Sequence, residues 1–310
     1  MVGAAASFDD VLAYLRARDD AEPGVAEGMR SRFHAGKRGR GATILLHGLT
    51  ASPPAWRAVA DELSARGRTV VVVRLPRHGH ADRMTTALRG ITARELIDDL
   101  TAIVRVVAAT GEAVTVVGHS LGATLALEAA SHGPAVARVV AVAPFLGIAG
   151  VPHELHPLLR RALALVPNRF LWWDPIARER LEPQHGYPRY PLGALLAGLT
   201  IADRVRDDAH RPPHAGAIDL VLNENETSVN NRTALRLAED WRAAGASIAV
   251  HRLRDLGWSH DIIEQLRPQA GRALATLVEI IAETHAPADR EHRIAAPRFT
   301  DASESGMTES

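Results

Sequence analysis

The chain has 310 residues, 46% hydrophobic and 23% charged, enough for one large domain or two small ones with a sizeable core. Its 36 basic residues (35 arginines and Lys37) balance 36 acidic ones; that argues against a dedicated nucleic-acid or anionic-membrane binder, which needs a basic surplus on one face. No cysteine is present, so disulfides, thiolate metal sites and cysteine nucleophiles are excluded.

Residues 1–41 read as a helical or extended segment ahead of the core. The opening MVGAAASFDD lacks a basic n-region, and Asp9 and Asp10 interrupt its apolar stretch, so it does not read as a secretory signal. Arg30, Arg32, Lys37, Arg38 and Arg40 read as a solvated approach to the first strong strand. Strands are expected at Ala42–His47, Thr69–Leu75, Ala113–Val117, Arg138–Ala143, Ala217–Leu222 and Ser247–Leu253. Runs such as VVVV and VTVV do not alternate between apolar and polar, so both faces should be covered, as in a parallel sheet between helices.

The helices between these strands are equally legible. Thr92 and Glu95 suggest a capping box, and Leu96, Ile97, Leu100, Ile103, Val104 and Val107 then share one helical face. Further helices are expected from Ser120 to Gly133, from about Asn230 to Ala244 with Gly245 as the stop, and after Pro268. This alternation predicts a mostly parallel central sheet flanked by helices. Residues 146–215 hold no convincing strand and are too long for a plain loop, so they read as an inserted helical cap. The core is then 42–145 and 216–286, and 287–310 reads as a disordered tail. The longest nearly apolar run, Ala135–Val151, contains Arg138 and Pro144 and falls short of the roughly 20 residues that span a bilayer. No stable membrane insertion is expected, and the location expected is cytoplasmic.

The strongest motif is Gly118-His119-Ser120-Leu121-Gly122, between the strand AVTVV and the helix LGATLALEAA. A strand–turn–helix of this kind holds a serine in a strained conformation at the carboxyl end of a strand. The glycines are needed because side chains there would meet neighbouring backbone. With His47–Pro53 (HGLTASP) after the first strong strand and Arg74–Arg83 (RLPRHGHADR) after the next, the sequence resembles the α/β-hydrolase family. It looks closest to the bacterial carboxylesterase and monoacylglycerol-lipase-like branch.

That resemblance implies an α/β-hydrolase fold and a nucleophile–acid–base order along the chain. Ser120 takes the nucleophile's place, and the amides of Leu49 and Leu121 take the oxyanion hole, with His47 orienting their loop. The base is expected after the final strand, at His260 in LGWSHDII; His78 and His80 are the next candidates. The acid is expected after AIDLVLN, where Glu226 stands with Val229 in register and Glu224 is its rival. Glutamate departs from the commoner aspartate of the family.

Six of the 13 aromatic residues fall between 145 and 190. Trp172 and Trp173 are therefore candidates for lining a substrate cavity beneath the cap. The expected activity is hydrolysis of a small-molecule carboxylic ester through an acyl-enzyme on Ser120. The alternatives are the same triad acting on thioesters, amides or peptides, or a non-catalytic ligand-binding scaffold. Epoxide hydrolase and dehalogenase chemistry is disfavoured, because those branches place aspartate where Ser120 stands. No metal, other cofactor or nucleic-acid partner is implied, and the sequence leaves the oligomeric state open.

Overall fold

Five of the strands carrying the mainly parallel sheet repeat one pattern: short β-branched runs, buried along their whole length. A computed structural model describes residues 6–176, 185–256, 260–264, 268–283 and 291–295. The sheet contains β1 (Arg32–His34), β2 (Ala42–Leu46), β3 (Thr69–Val73), β4 (Val114–His119), β5 (Arg138–Val142), β8 (Ala217–Asn223), β9 (Ile248–Arg254) and β10 (Glu291–Ala295). Their spatial order is β1-β3-β2-β4-β5-β8-β9-β10. All neighbours are parallel except β1, which runs antiparallel to β3.

Alternate residues along these strands face opposite layers, and each layer has its own cover. Ile44, Leu46, Val116, Ala141 and Leu220 pack with α1 (Phe8–Asp20), α3 (Ala93–Ala108), α4 (Leu121–His132) and α7 (Asn231–Ala243). Leu45, Val117, Val140, Val142 and Val221 pack with α2 (Arg57–Ala65) and α8 (Pro268–Ala282). Burial on both sides is the physical reason that the strands show no polar alternation.

The structure departs from the sequence expectations in four places. Arg32–His34, assigned to the leading segment, is an edge strand of the main sheet. Within the expected disordered tail, Glu291–Ala295 pairs with β9; the rest of that stretch, 287–290 and 296–310, lies outside the described residues. The capping box at Thr92 is half made: Thr92 accepts from the Glu95 amide, while the Glu95 carboxylate turns to Arg77.

The fourth difference is the insertion. It is not purely helical: β6 (Phe170–Trp172) and β7 (Arg189–Pro191) form an antiparallel pair after α5 (His156–Ala164). Three-residue strands are too short to leave a readable period. Its last helix, α6 (Leu192–Asp207), belongs with the core, because Ala194, Ala197, Ile201, Ala202 and Val205 are buried in the main apolar cluster. Small side chains let α6 lie close against α4. None of the helices among the described residues is long and apolar enough to cross a membrane.

One buried charge cluster ties strands β5, β8 and β9 together. Asp219 on β8 is fully buried; it accepts from Arg138 Nε at 2.7 Å and meets His251 Nε2 at 2.7 Å. Arg138 also donates to the Glu283 carbonyl beyond the end of α8. Asp219→Ala would leave a buried guanidinium without its counter-charge, an effect of about 3–5 kcal/mol. Urea denaturation of the variant should show a loss of that order, and a change under about 1 kcal/mol would contradict the assignment.

Candidate active site

The turn between β4 and α4 has no room for side chains other than the one it presents. Ser120 lies at φ 54°, ψ −116°, a region that costs L-residues strain and persists only when the surroundings enforce it. The enforcement is visible. The Ser120 amide donates to the Val142 carbonyl at 3.0 Å, and its carbonyl accepts from the Phe145 and Thr124 amides at 3.2 and 3.1 Å. A Cβ on Gly118 would overlap the backbone of Gly122, and a Cβ on Gly122 would overlap the Leu46 and His47 carbonyls. Both glycines are therefore steric requirements, as the sequence suggested.

The loop after β2 faces this turn. His47 is buried, with Nδ1–H donating to the Gly48 carbonyl at 2.9 Å and Nε2 accepting from the Leu75 amide at 3.1 Å. Burial above all, and His78 nearby, hold its pKa well below the ordinary histidine value, so it stays neutral. The Gly48 carbonyl and the Leu49 N–H belong to one trans peptide and point in opposite directions. Fixing one aims the other. Among the described residues, neither the Leu49 N–H nor the Leu121 N–H has an acceptor; Leu121 is the first residue of α4, where helices leave donors unpaired. Both residues line one cavity with Ser120.

His260 and Glu226 meet across two loops. His260 Nδ1 lies 2.9 Å from Glu226 Oε2, and the Glu226 side chain is fully buried. The other oxygen, Oε1, accepts from the amides of Thr227 and Ser228 at 2.9 and 2.7 Å. Burial would raise the pKa of this carboxyl, but its bonds to His260 and to Ser228 outweigh it and hold the pKa below the ordinary value. For His260, burial pulls the pKa down, and the bond and charge of Glu226 outweigh it in the other direction. Glu224 is exposed and pairs with Arg254 at 3.1 Å; it does not reach His260.

His119 was missed in the sequence as a contributor. It is buried, its Nε2–H donates to the His260 carbonyl at 2.9 Å, and the two rings stand 4.9 Å apart. Burial, then the neighbouring His260, lowers its pKa to about 4, so it remains a neutral donor. Its place between Gly118 and Ser120 was the signal, since a residue at this turn faces the core behind Ser120. Of the rival bases, His78 is buried with its nitrogens 2.8 and 2.7 Å from the Pro76 and Leu49 carbonyls. It shapes the Leu49 loop. His80 donates its amide to the Tyr187 hydroxyl.

The cavity has a volume of about 690 Å³, and Phe145, Ile148, Leu195 and Val229 provide apolar wall. Trp173 lines it and stacks, tilted, on Tyr190 with ring centroids 4.3 Å apart. Trp172 does not line it: this residue sits in β6 opposite Arg189. Successive side chains on an extended chain face opposite sides, so a Trp-Trp pair can offer only one ring to the cavity. Among the described residues, no group of three or more His, Asp or Glu side chains is arranged to hold a metal ion.

The sequence matches the alpha/beta hydrolase family over residues 43–296, and the chain belongs to that family. A metagenome-derived lipolytic enzyme is similar in structure, with a TM-score of 0.61, 20% identity, and coverage of 83% of this chain and 98% of that one. The monoacylglycerol lipase of Paleococcus ferrophilus gives a TM-score of 0.61 at 18% identity, covering 81% and 97%. The magnesium-chelatase 30 kDa subunit of Rhodobacter capsulatus is 38% identical over 128 residues, 40% of this chain. The match spans only 42% of that protein's length.

The Glu226–His260 pair makes a signed prediction about pH. A base must be neutral to accept a proton, and the Glu226 charge raises the His260 pKa above the ordinary value of about 6.5. Activity should therefore fall as pH drops through a value above about 6.5. Glu226→Gln removes the raising influence, so the acid limb of kcat/KM should move to lower pH while the rate falls by about 10²- to 10⁴-fold. Glu224→Gln should leave both near wild type. The reverse ranking in a pH–rate comparison would assign the acid to Glu224.

Proposed function

We propose that this family member is a serine hydrolase that cleaves carboxylic esters of small, modestly polar molecules through an acyl-enzyme. The observation that carries the reading is the buried Glu226–His260 bond beside the cavity that also holds strained Ser120 and two amides without an acceptor among the described residues. Its lipolytic and monoacylglycerol-lipase structural neighbours support hydrolase activity.

In this reading His260 has Nδ1 committed to Glu226, so Nε2 is the nitrogen available to take the Ser120 proton. The Ser120 oxygen attacks the ester carbonyl as the proton leaves, and Glu226 stabilises the imidazolium that forms. The carbonyl oxygen becomes negative against the amides of Leu49 and Leu121; one such donor is worth about 3 kcal/mol. His260 then protonates the departing alcohol, and water repeats the sequence to release the acid. The apolar wall and Trp173 suit an uncharged acyl or aryl group.

Ser120→Ala should abolish turnover of p-nitrophenyl esters and labelling by a fluorophosphonate probe, with an unchanged circular dichroism spectrum. Full activity in this variant would sink the assignment. Wild-type protein that neither turns over esters, thioesters or amides nor takes the probe would instead mark a binding scaffold.

A further inference from the structure

Thr50 follows Leu49 and lines the same cavity. The Trp173 indole Nε1–H donates to Thr50 Oγ1 at 2.7 Å. Indole nitrogen can only donate, so the hydroxyl oxygen is the acceptor in this bond and its own hydrogen needs another partner. Among the described residues it finds none. A half-buried hydroxyl beside the cavity thus holds a spare donor.

That donor is also held in place. The Tyr187 amide donates to the Thr50 carbonyl at 2.7 Å, and His78 Nε2 lies 2.7 Å from the preceding Leu49 carbonyl. Trp173 is steadied by its contact with Tyr190 and by its own amide bond to the Pro188 carbonyl at 3.2 Å. A donor on a hydroxyl oxygen strengthens the hydroxyl's own donation. The result is a polarised hydroxyl whose oxygen is held one residue from the Leu49 amide, with its hydrogen left to turn toward a ligand.

We propose that the Thr50 hydroxyl is a third donor to the substrate oxygen that becomes negative, beside the amides of Leu49 and Leu121. Trp173, from the cap, acts as its positioning residue. The role rests on the serine-hydrolase reading above. It makes cap and reaction centre interdependent: the indole that walls the cavity also sets the donor. Preorganised donors stabilise developing charge because they need not reorient during reaction.

Thr50→Val keeps the shape and removes the hydroxyl. Its kcat and KM on p-nitrophenyl butyrate should be measured with the Ki of an alkyl trifluoromethyl ketone, which adds Ser120 to form an oxyanion. The matching secondary alcohol, which cannot form one, is the control. The expected result is a kcat about 10- to 100-fold lower with KM within about threefold, ketone binding weakened by the same factor, and alcohol binding unchanged. Thr50→Ser should recover most of the loss. Unchanged kcat and ketone binding would overturn the proposal, as would a loss confined to KM with both ligands weakened equally. If Thr50→Val does not fold, comparison of Thr50→Ala with Thr50→Ser makes the same measurement. Failure of the wild type to take a fluorophosphonate at Ser120 would refute the serine-hydrolase reading, and this role with it. A labelled wild type with an indifferent Thr50 would refute this role alone.

Discussion

Side chains meet backbone at one crowded point, the turn between β4 and α4, and the site is arranged around it. Ser120 occupies a positive φ because its amide is pinned by Val142 at the end of β5 and its carbonyl by Phe145 in the loop that follows. Gly118 and Gly122 leave α4 free to start directly against β2. A side chain on Gly122 would force the helix to retreat from Leu46 and His47, and one on Gly118 would push its first turn off β4. The Leu121 amide and the His47–Leu49 loop would then separate. Strain at one residue thus sets the distance between two loops, and the tight packing of the sheet below supplies the energy that maintains it.

A layer of histidines transmits that arrangement outward. His47 fixes the Gly48–Leu49 peptide, His78 reaches the next carbonyl, and His119 holds the main chain of His260. Burial keeps all three neutral. Neutral imidazoles can serve as directional struts without placing charge beside Ser120. His260 differs in one respect: a buried carboxylate sits on its Nδ1 and favours the charged form. One residue type therefore serves two purposes, divided by whether Glu226 is within reach.

The support for these struts extends to the N-terminal segment. Asp19 on α1 is buried and accepts from Arg74 Nε at 2.9 Å, and Arg74 Nη1 in turn donates to the His78 carbonyl at 3.2 Å. The same arginine donates to the Leu75 carbonyl. A residue of the leading helical segment therefore anchors the loop that carries His78. On the opposite side the inserted segment reaches the Leu49 loop through Trp173 and Tyr187, and it reaches the loop of His260 through His185, which lies 2.6 Å from Glu264.

Local chemistry made much of this protein legible in its sequence. Buried parallel strands need uninterrupted β-branched runs, so six of them could be placed. A strained serine between glycines has few alternatives in sequence, so Ser120 stood out, and the family resemblance pointed to His260 after the last strand and to Glu226 or its rival Glu224 after the one before. What the sequence left open depends on which distant groups meet. Whether Glu224 or Glu226 faces the histidine turns on the course of one loop after β8, and Arg254 on the neighbouring strand draws Glu224 away. Which tryptophan enters the cavity turns on the facing of a three-residue strand. The role of His119, the edge strand at Arg32–His34 and the union of α6 with the core leave no periodic trace, because a contact between residues far apart in sequence is a property of the packed chain alone.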